Sequence, residues 1–393
     1  MVPRTAANFT LAELAGAMVA NREDGAEVEA FRTKLARALE VDDVALVPSG
    51  RAGLYAILKA APDIERVVVP AYTCNAVTEA ARLAGKPVAY VDIEPGGFNV
   101  TASAVARTVK KGDAYVATHQ FGFPCDIEGT VAACRARGAF VIEDAAASLG
   151  TRVAGKLTGT FADAGFFSFD IGKLVTLPLK GGAVVARDPA LVARIRAAND
   201  DATSPMPQAV KARLLAFASV LVGVRGPRRY RAFHKLQFRG GKFTAETGAI
   251  ASERGLFYQW RMADWQAAIG ARQVDRLEAL IARRRTLYRA YRDALRGVRH
   301  IELPPEDVRG EWAPIRFPIR VRPEKLAFYR EAARRGVDMA FSFTFLVAPK
   351  EHAHAHALAD AVLDLPFYDG LTDRELDAVV ATLLTLDRER IAC

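Results

Sequence analysis

The chain has 393 residues, of which 51% are hydrophobic and 25% charged, values that exclude a disordered polymer and allow two or three folded domains. Its net charge of +9 is unevenly spread: Met206 to Thr244 holds nine cations (Lys211, Arg213, Arg225, Arg228, Arg229, Arg231, Lys235, Arg239, Lys242) and no acid. The longest apolar run, "LLAFASVLVGV" at 214–224, lies between arginines and is too short for a membrane span. The opening residues contain no apolar signal-peptide core. Cys74, Cys125, Cys134 and Cys393 form no CxxC pair and read as free thiols in a reducing cytoplasm.

Helical spacing of apolar residues predicts helices over about 10–20 and 24–40. From Ala45 to about Val185, strand-like runs ("VALVPS", "RVVVPAYT", "PVAYVDI", "AYVATHQF", "AFVIEDAA", "AGFFSFD", "GAVVARD") alternate with helical stretches. That rhythm predicts an α/β domain whose mainly parallel sheet lies between helices. The segment 186–250 breaks the rhythm with two helical pieces and the breakers Gly223, Gly226, Pro227, Gly240 and Gly241. From Asp264 one long basic helix is expected through "WQAAIGARQVDRLEALIARRRTLYRAYRDAL", followed by a smaller α+β unit. The predicted division is a large domain at 1–263, with a basic insertion at about 200–245, and a small domain at 264–393.

Four stretches carry residue types suited to chemistry. "VIEDAAASLG" ends a strand in Glu143-Asp144, at the sheet edge where α/β folds place ligands; a helix cap is the plainer alternative. "GFFSFDIGKLVTLPLKGG" offers Lys173 and Lys180, and a lysine desolvated in an apolar site can form a Schiff base. "PSGRAGLYAIL" is a strand-to-helix turn whose amides suit an anion, without the Walker lysine or the dinucleotide spacing. In "HAHAHA", His352 and His356 share a helical face, but no third ligand follows from spacing, so no metal is expected.

In their order and spacing, these motifs resemble the DegT/StrS-type sugar aminotransferases, fold-type I enzymes dependent on pyridoxal phosphate (PLP). The similarity runs from about Asn8 to Leu386, through "PSGRAGL", "VVVPAYTCNAVTEAARLAGKPVAYVDI", "THQFG", "VIEDAAASLG", "GKLTGTFADAGFFSFDIGKLV", "GGAVVARD", "YQWRMADWQAAIGARQVDRL" and "VLDLPFYDGLT". It implies a seven-stranded, mainly parallel sheet and a set of residue roles. Lys173 falls on the family's Schiff-base lysine, Asp144 on the partner of the pyridine nitrogen, and Ser168 on a phosphate ligand. Gly50, Arg51 and Ala52 fill the phosphate turn, where relatives more often carry Thr at the position of Arg51. His119 matches the histidine of the family's H-x-x-G strand end. Gln259 and Arg261 match a segment that reaches across a homodimer toward the partner's cofactor phosphate.

Some positions depart from the pattern. Cys74 stands where relatives stack an aromatic ring on the cofactor, with Tyr72 close by as a substitute. Ala147 replaces a usual Gln, Ser342 a usual His, and Lys180 a usual acid. The implied activity is transfer of an amino group, with glutamate as donor, to a keto-sugar carried on a nucleotide or a lipid. A different PLP reaction (dehydration or acyl transfer) and a non-catalytic binding role are the alternatives. The basic insertion suits an anionic membrane face, and equally a place in a dimer contact or facing a substrate diphosphate; no nucleic-acid motif accompanies its charge.

Overall fold

The computed structural model describes residues 1–19, 24–61, 63–224, 226–237, 253, 255–306, 308, 310–322 and 324–391. Twelve strands are found among them: β1 (Ala45–Val47), β2 (Arg66–Pro70), β3 (Val88–Val91), β4 (Asp113–Thr118), β5 (Phe140–Asp144), β6 (Arg152–Val153), β7 (Lys156–Leu157), β8 (Ala164–Ser168), β9 (Gly182–Ala186), β10 (Ile301–Glu302), β11 (Pro318–Val321) and β12 (Val362–Asp364). Seven of these form one sheet in the order β1-β9-β8-β5-β4-β2-β3, and only β9 runs against the others. This is the mainly parallel sheet that the alternating apolar runs predict. β10, β11 and β12 make a small antiparallel sheet, and β6 with β7 a hairpin.

Alternation along the strands explains why both faces are covered. Val67 and Val69 of β2 pack on Leu54 and Ile57 of the helix Gly50–Ala60, while Val68 turns to the other side. Phe167, Ala183 and Val185 meet Ala267, Ala268 and Ile269 of the helix Asp264–Val274. Register then gathers the chemistry at one edge. Thr118 pairs with Asp144, Asp144 with Phe166, Ser168 with Gly182, and Gly182 with Val47.

The long helix expected from Asp264 is in fact two helices, Asp264–Val274 and Leu277–Ala294. The break lies where Arg276 leaves helical geometry (φ −113°, ψ 15°) and sends its guanidinium to the Asn8 carbonyl. Each half then buries its own face: the first packs on the helix Ala26–Ala38, and the second sends Tyr288 and Tyr291 into the C-terminal core. Gly223, Gly226 and Pro227 separate the helices Gln208–Gly223 and Pro227–Gln237 as expected; Arg225, Gly240 and Gly241 lie outside the described residues. Cys125 and Cys134 are buried free thiols, Cys74 is a half-buried one, and Cys393 lies outside the described residues.

Asp338 ties the basic segment to the body. This fully buried carboxylate takes hydrogen bonds from Arg4 Nε (2.6 Å), the Tyr230 hydroxyl (2.6 Å) and the Tyr329 hydroxyl (2.9 Å), with His234 Nε2 at 3.4 Å. Burial works to raise its pKa, but His234, Arg4 and Tyr230 prevail and hold it at about 2. A depressed folded pKa gives stability that is complete above the ordinary 3.8 and is lost as pH falls through 3.8 toward 2. Asp338→Asn is expected to destabilise the chain by about 3–5 kcal/mol, read as a lower thermal midpoint at pH 7. An unchanged midpoint would mean that the cluster holds nothing.

Candidate active site

The site begins with a turn that only small residues allow. Ser49, in extended backbone (φ −165°), caps the helix Gly50–Ala60 by accepting the Ala52 amide at 3.2 Å. The amides of Gly50 and Arg51 have no carbonyl acceptor within the helix and face its positive end. A Cβ on Gly50 would sit 3.0 Å from Ser168 Cβ, so the turn and the Ser168 hydroxyl form one wall. β9 starts directly beside them: a Cβ on Gly182 would come within 2.7 Å of the Ser49 carbonyl carbon and 2.8 Å of Gly50 N. Arg51 itself turns away, donating to Glu79 at 2.8 Å and lying over the Phe257 ring.

Asp144 ends β5 as a buried carboxylate that accepts the Ala146 amide at 3.0 Å. Burial raises its pKa, against the opposing pull of that amide, Lys173 and His119. Lys173 follows β8 on a turn made by Gly172, whose φ of +88° belongs to the left-handed region that favours glycine. Burial holds the Lys173 amine below the ordinary lysine range, helped by the charge of Arg316 and opposed by Asp144, Asp170 and Cys74. Lys180 is placed differently. Its ammonium donates to Asp170 at 2.6 Å and lies 4.3 Å from the centre of the Phe257 ring, so its charge is engaged twice over.

The turn bearing Lys173 is fixed by side chains distant in sequence. Asn8 Nδ2 donates to the carbonyls of Lys173 (3.1 Å) and Leu174 (2.8 Å). Gln273 accepts the Thr176 amide at 2.9 Å and donates to the Thr176 carbonyl at 2.8 Å. Gln266 donates to the Pro178 carbonyl at 2.6 Å. Gln266 and Gln273 recur on one face of an otherwise apolar helical stretch, a spacing that could have pointed to this clamp and was not read. No such signal marks Asn8.

Other expected site residues are placed less directly. Cys74 begins the helix Asn75–Leu83, close enough to Lys173 to affect its charge. Tyr72 and His119 each expose 0% of their surface, whereas a side chain facing an open site keeps some. Tyr72 donates to the Ser342 carbonyl at 2.9 Å and packs on Phe343 and Phe121. His119 Nδ1 accepts the Cys125 amide at 3.1 Å, so the ring proton is on Nε2, facing Glu143 at 2.8 Å. Thus His119 supports the β4–β5 edge from behind. Arg261 donates to the Asp200 and Thr203 carbonyls, and the Gln259 carbonyl accepts the Ser204 amide. Their segment nevertheless reaches the phosphate turn, because Ser49 Oγ donates to the Phe257 carbonyl at 2.7 Å. In the His-rich stretch, His352 only precedes the helix Ala353–Ala361, and His356 Nε2 faces the carbonyls of Ala348 and Pro349.

A family model described as the DegT/DnrJ/EryC1/StrS aminotransferase family matches residues 9–384. GDP-perosamine synthase of Vibrio cholerae is 28% identical over 278 residues, covering 70% of this chain and 64% of that protein. GDP-perosamine synthase of Caulobacter vibrioides is 25% identical over 334 residues, covering 81% and 78%. The chain therefore matches a little under two thirds of the length of the first of these relatives. Among solved structures, the aminotransferase TlmJ of Streptoalloteichus hindustanus superimposes with a TM-score of 0.76 at 23% identity, over 100% of both chains. Helicobacter pylori PseC, an aminotransferase involved in the biosynthesis of pseudoaminic acid, gives 0.78 at 15% identity over 99% of each. At such identities the structural likeness establishes the fold.

Proposed function

The chain belongs to the DegT/DnrJ/EryC1/StrS aminotransferase family, and from that premise we propose that it transfers an amino group from glutamate to the keto group of a nucleotide-linked sugar. Enzymes of this family depend on PLP. The residues present suit that cofactor. A helix N-terminus and the Ser168 hydroxyl form a wall for a phosphate, a buried carboxylate stands at the strand end, and an amine of depressed pKa lies nearby. When bound, PLP supplies an electron sink for the carbon that carries the amine. The backbone amides of Gly50 and Arg51 and the Ser168 hydroxyl would hold its phosphate, and Asp144 would keep the proton on its ring nitrogen. Lys173, neutral for part of the cycle, would take the proton from the donor carbon and return it to the sugar carbon. Asn8, Gln266 and Gln273 keep the turn of Lys173 in place during those transfers.

The observation that carries this reading is the placement of Lys173, on the Gly172 turn after β8, and the buried Asp144, at the end of the neighbouring β5, at one edge of the sheet. The named activities of the relatives support a nucleotide-linked sugar as acceptor. Adding glutamate to cofactor-loaded protein is expected to bleach its visible absorption and release one equivalent of 2-oxoglutarate. Unchanged absorption with every amino donor tried would rule transamination out. A homodimer is part of the proposal, with Gln259 and Arg261 serving the partner's phosphate site as the family resemblance implies; within one chain, Phe257 of the same segment lies against that chain's own turn.

The basic segment supports a second element of the proposal, contact with an anionic lipid surface. On the helix Gln208–Gly223, Phe217 and Val220 are exposed among Lys211 and Arg213, and Leu236 is exposed beside Arg231 and Lys235. Among the described residues no helix is long and apolar enough to cross a membrane; Arg239 and Lys242 of the segment lie outside them. Cations beside exposed apolar side chains suit a surface that supplies both phosphate charge and hydrocarbon. Phe217→Ser with Val220→Ser is expected to reduce sedimentation with anionic vesicles several-fold, and equal sedimentation would remove this element.

A further inference from the structure

Arg316 lies on the stretch leading into β11, and its guanidinium descends on the turn that carries Lys173. Its Nη2 would stand 3.5 Å from a Cβ built on Gly172, the neighbour of Lys173. Its Nη1 is 3.6 Å from Asp364 Oδ2, a charge contact too long for a hydrogen bond. Among the described residues no hydrogen bond is made by this guanidinium, although its side chain is only 25% exposed. A half-buried fork of five donors beside the reactive amine is therefore left with its donors unspent.

Asp364 is built to aim that fork without consuming it. It is 1% exposed, joined to Ala340 through both backbone groups (2.9 and 3.0 Å), and takes the Ser342 hydroxyl on Oδ2. Its Oδ1 has no hydrogen-bond partner. Ser342, a departure from the family pattern, thus belongs to the same unit as Arg316.

We propose that Arg316 receives the carboxylate of the amino donor, with Asp364 and Ser342 as its positioning residues. This rests on the transaminase reading above. An amino acid differs from a keto-sugar in bearing a carboxylate one bond from the carbon that carries the amine. Such an anion has to be held close to Lys173, and a guanidinium matches a carboxylate through two parallel hydrogen bonds. The arrangement also couples the two residues. The charge of Arg316 helps to keep Lys173 neutral, and a bound carboxylate would offset that charge and restore basicity to the amine when a proton has to be taken up.

The test uses PLP-loaded Arg316→Gln, Arg316→Lys and Ser342→Ala proteins, each first checked for cofactor content and thermal midpoint. Binding of 2-oxoglutarate is measured by calorimetry, independently of turnover. Arg316→Gln is expected to weaken it about 30- to 100-fold, and Arg316→Lys less, because a lysine keeps the charge and loses the fork. Where turnover is measurable, the KM for glutamate should rise by a similar factor while the KM for the keto-sugar stays within about twofold. Ser342→Ala should give a smaller change in the same sense. Unaltered 2-oxoglutarate binding in Arg316→Gln overturns the proposal, as does a rise confined to the sugar KM, which would assign Arg316 to an acid group on the sugar. Should wild-type protein bind 2-oxoglutarate but aminate nothing, the transaminase reading fails while the carboxylate site stands.

Discussion

Lys173→Arg protein loaded with PLP is expected to turn over at least on the order of 10⁴-fold more slowly than wild type. The substituted side chain keeps a positive charge and a long stem, but a guanidinium does not lose its proton in a protein. The loss therefore reports the need for a neutral amine. The control is Lys180→Ala, which should retain turnover within about tenfold, because Lys180 is engaged by Asp170 and the Phe257 ring. A pH signature accompanies this. The Lys173 amine is held below 10.5, first by burial and then by Arg316, so its neutral form is present at lower pH than in an exposed lysine. The rate at which PLP attaches to the apo-protein should accordingly level off below pH 10.5. A profile that follows an ordinary lysine would contradict the description of the site.

Asp144→Asn carries the second largest expected effect, a fall in turnover of about 10²- to 10³-fold with the fold retained. The substitution keeps shape and an acceptor oxygen while removing the charge that would keep a proton on the cofactor's ring nitrogen. Burial alone would favour the neutral acid at this position; the Ala146 amide, Lys173 and His119 are what favour the carboxylate. Cofactor affinity should fall as well, measured by equilibrium dialysis, whereas Asp144→Glu should recover part of the loss. A drop of less than about tenfold in Asp144→Asn would mean that this carboxylate is only the helix cap that its sequence context also allows.

The sheet was legible because fully buried parallel strands leave continuous apolar runs between helices, as "RVVVP" and "AFVIED" do. Asp144 and Ser168 were legible for a related reason: each ends a strand, so strand order places them at one edge, whereas only the family resemblance separated Lys173 from Lys180. Arg316 was not legible. It is one of 54 basic residues, and only the packing of β11 and β12 against the large sheet makes it a neighbour of Lys173. Tyr72 and His119 show what the motifs leave open: Phe121 and Phe343 pack on the Tyr72 ring and Glu143 meets the His119 ring in the interior of the chain. The break at Arg276 was hidden because no Gly or Pro marks it in "ARQVDRLEAL", and the contact made there goes to Asn8, far away in sequence.

The central claim is that one particular lysine holds the cofactor, and "GFFSFDIGKLVTLPLKGG" contains two candidates. Reduction of the PLP-loaded protein with borohydride fixes the cofactor to whichever amine carries it, and peptide mapping by mass spectrometry identifies the residue. The label is expected on Lys173 alone, at about one equivalent per chain. A label on Lys180, or one spread over surface lysines with Lys173 unmodified, would contradict the account.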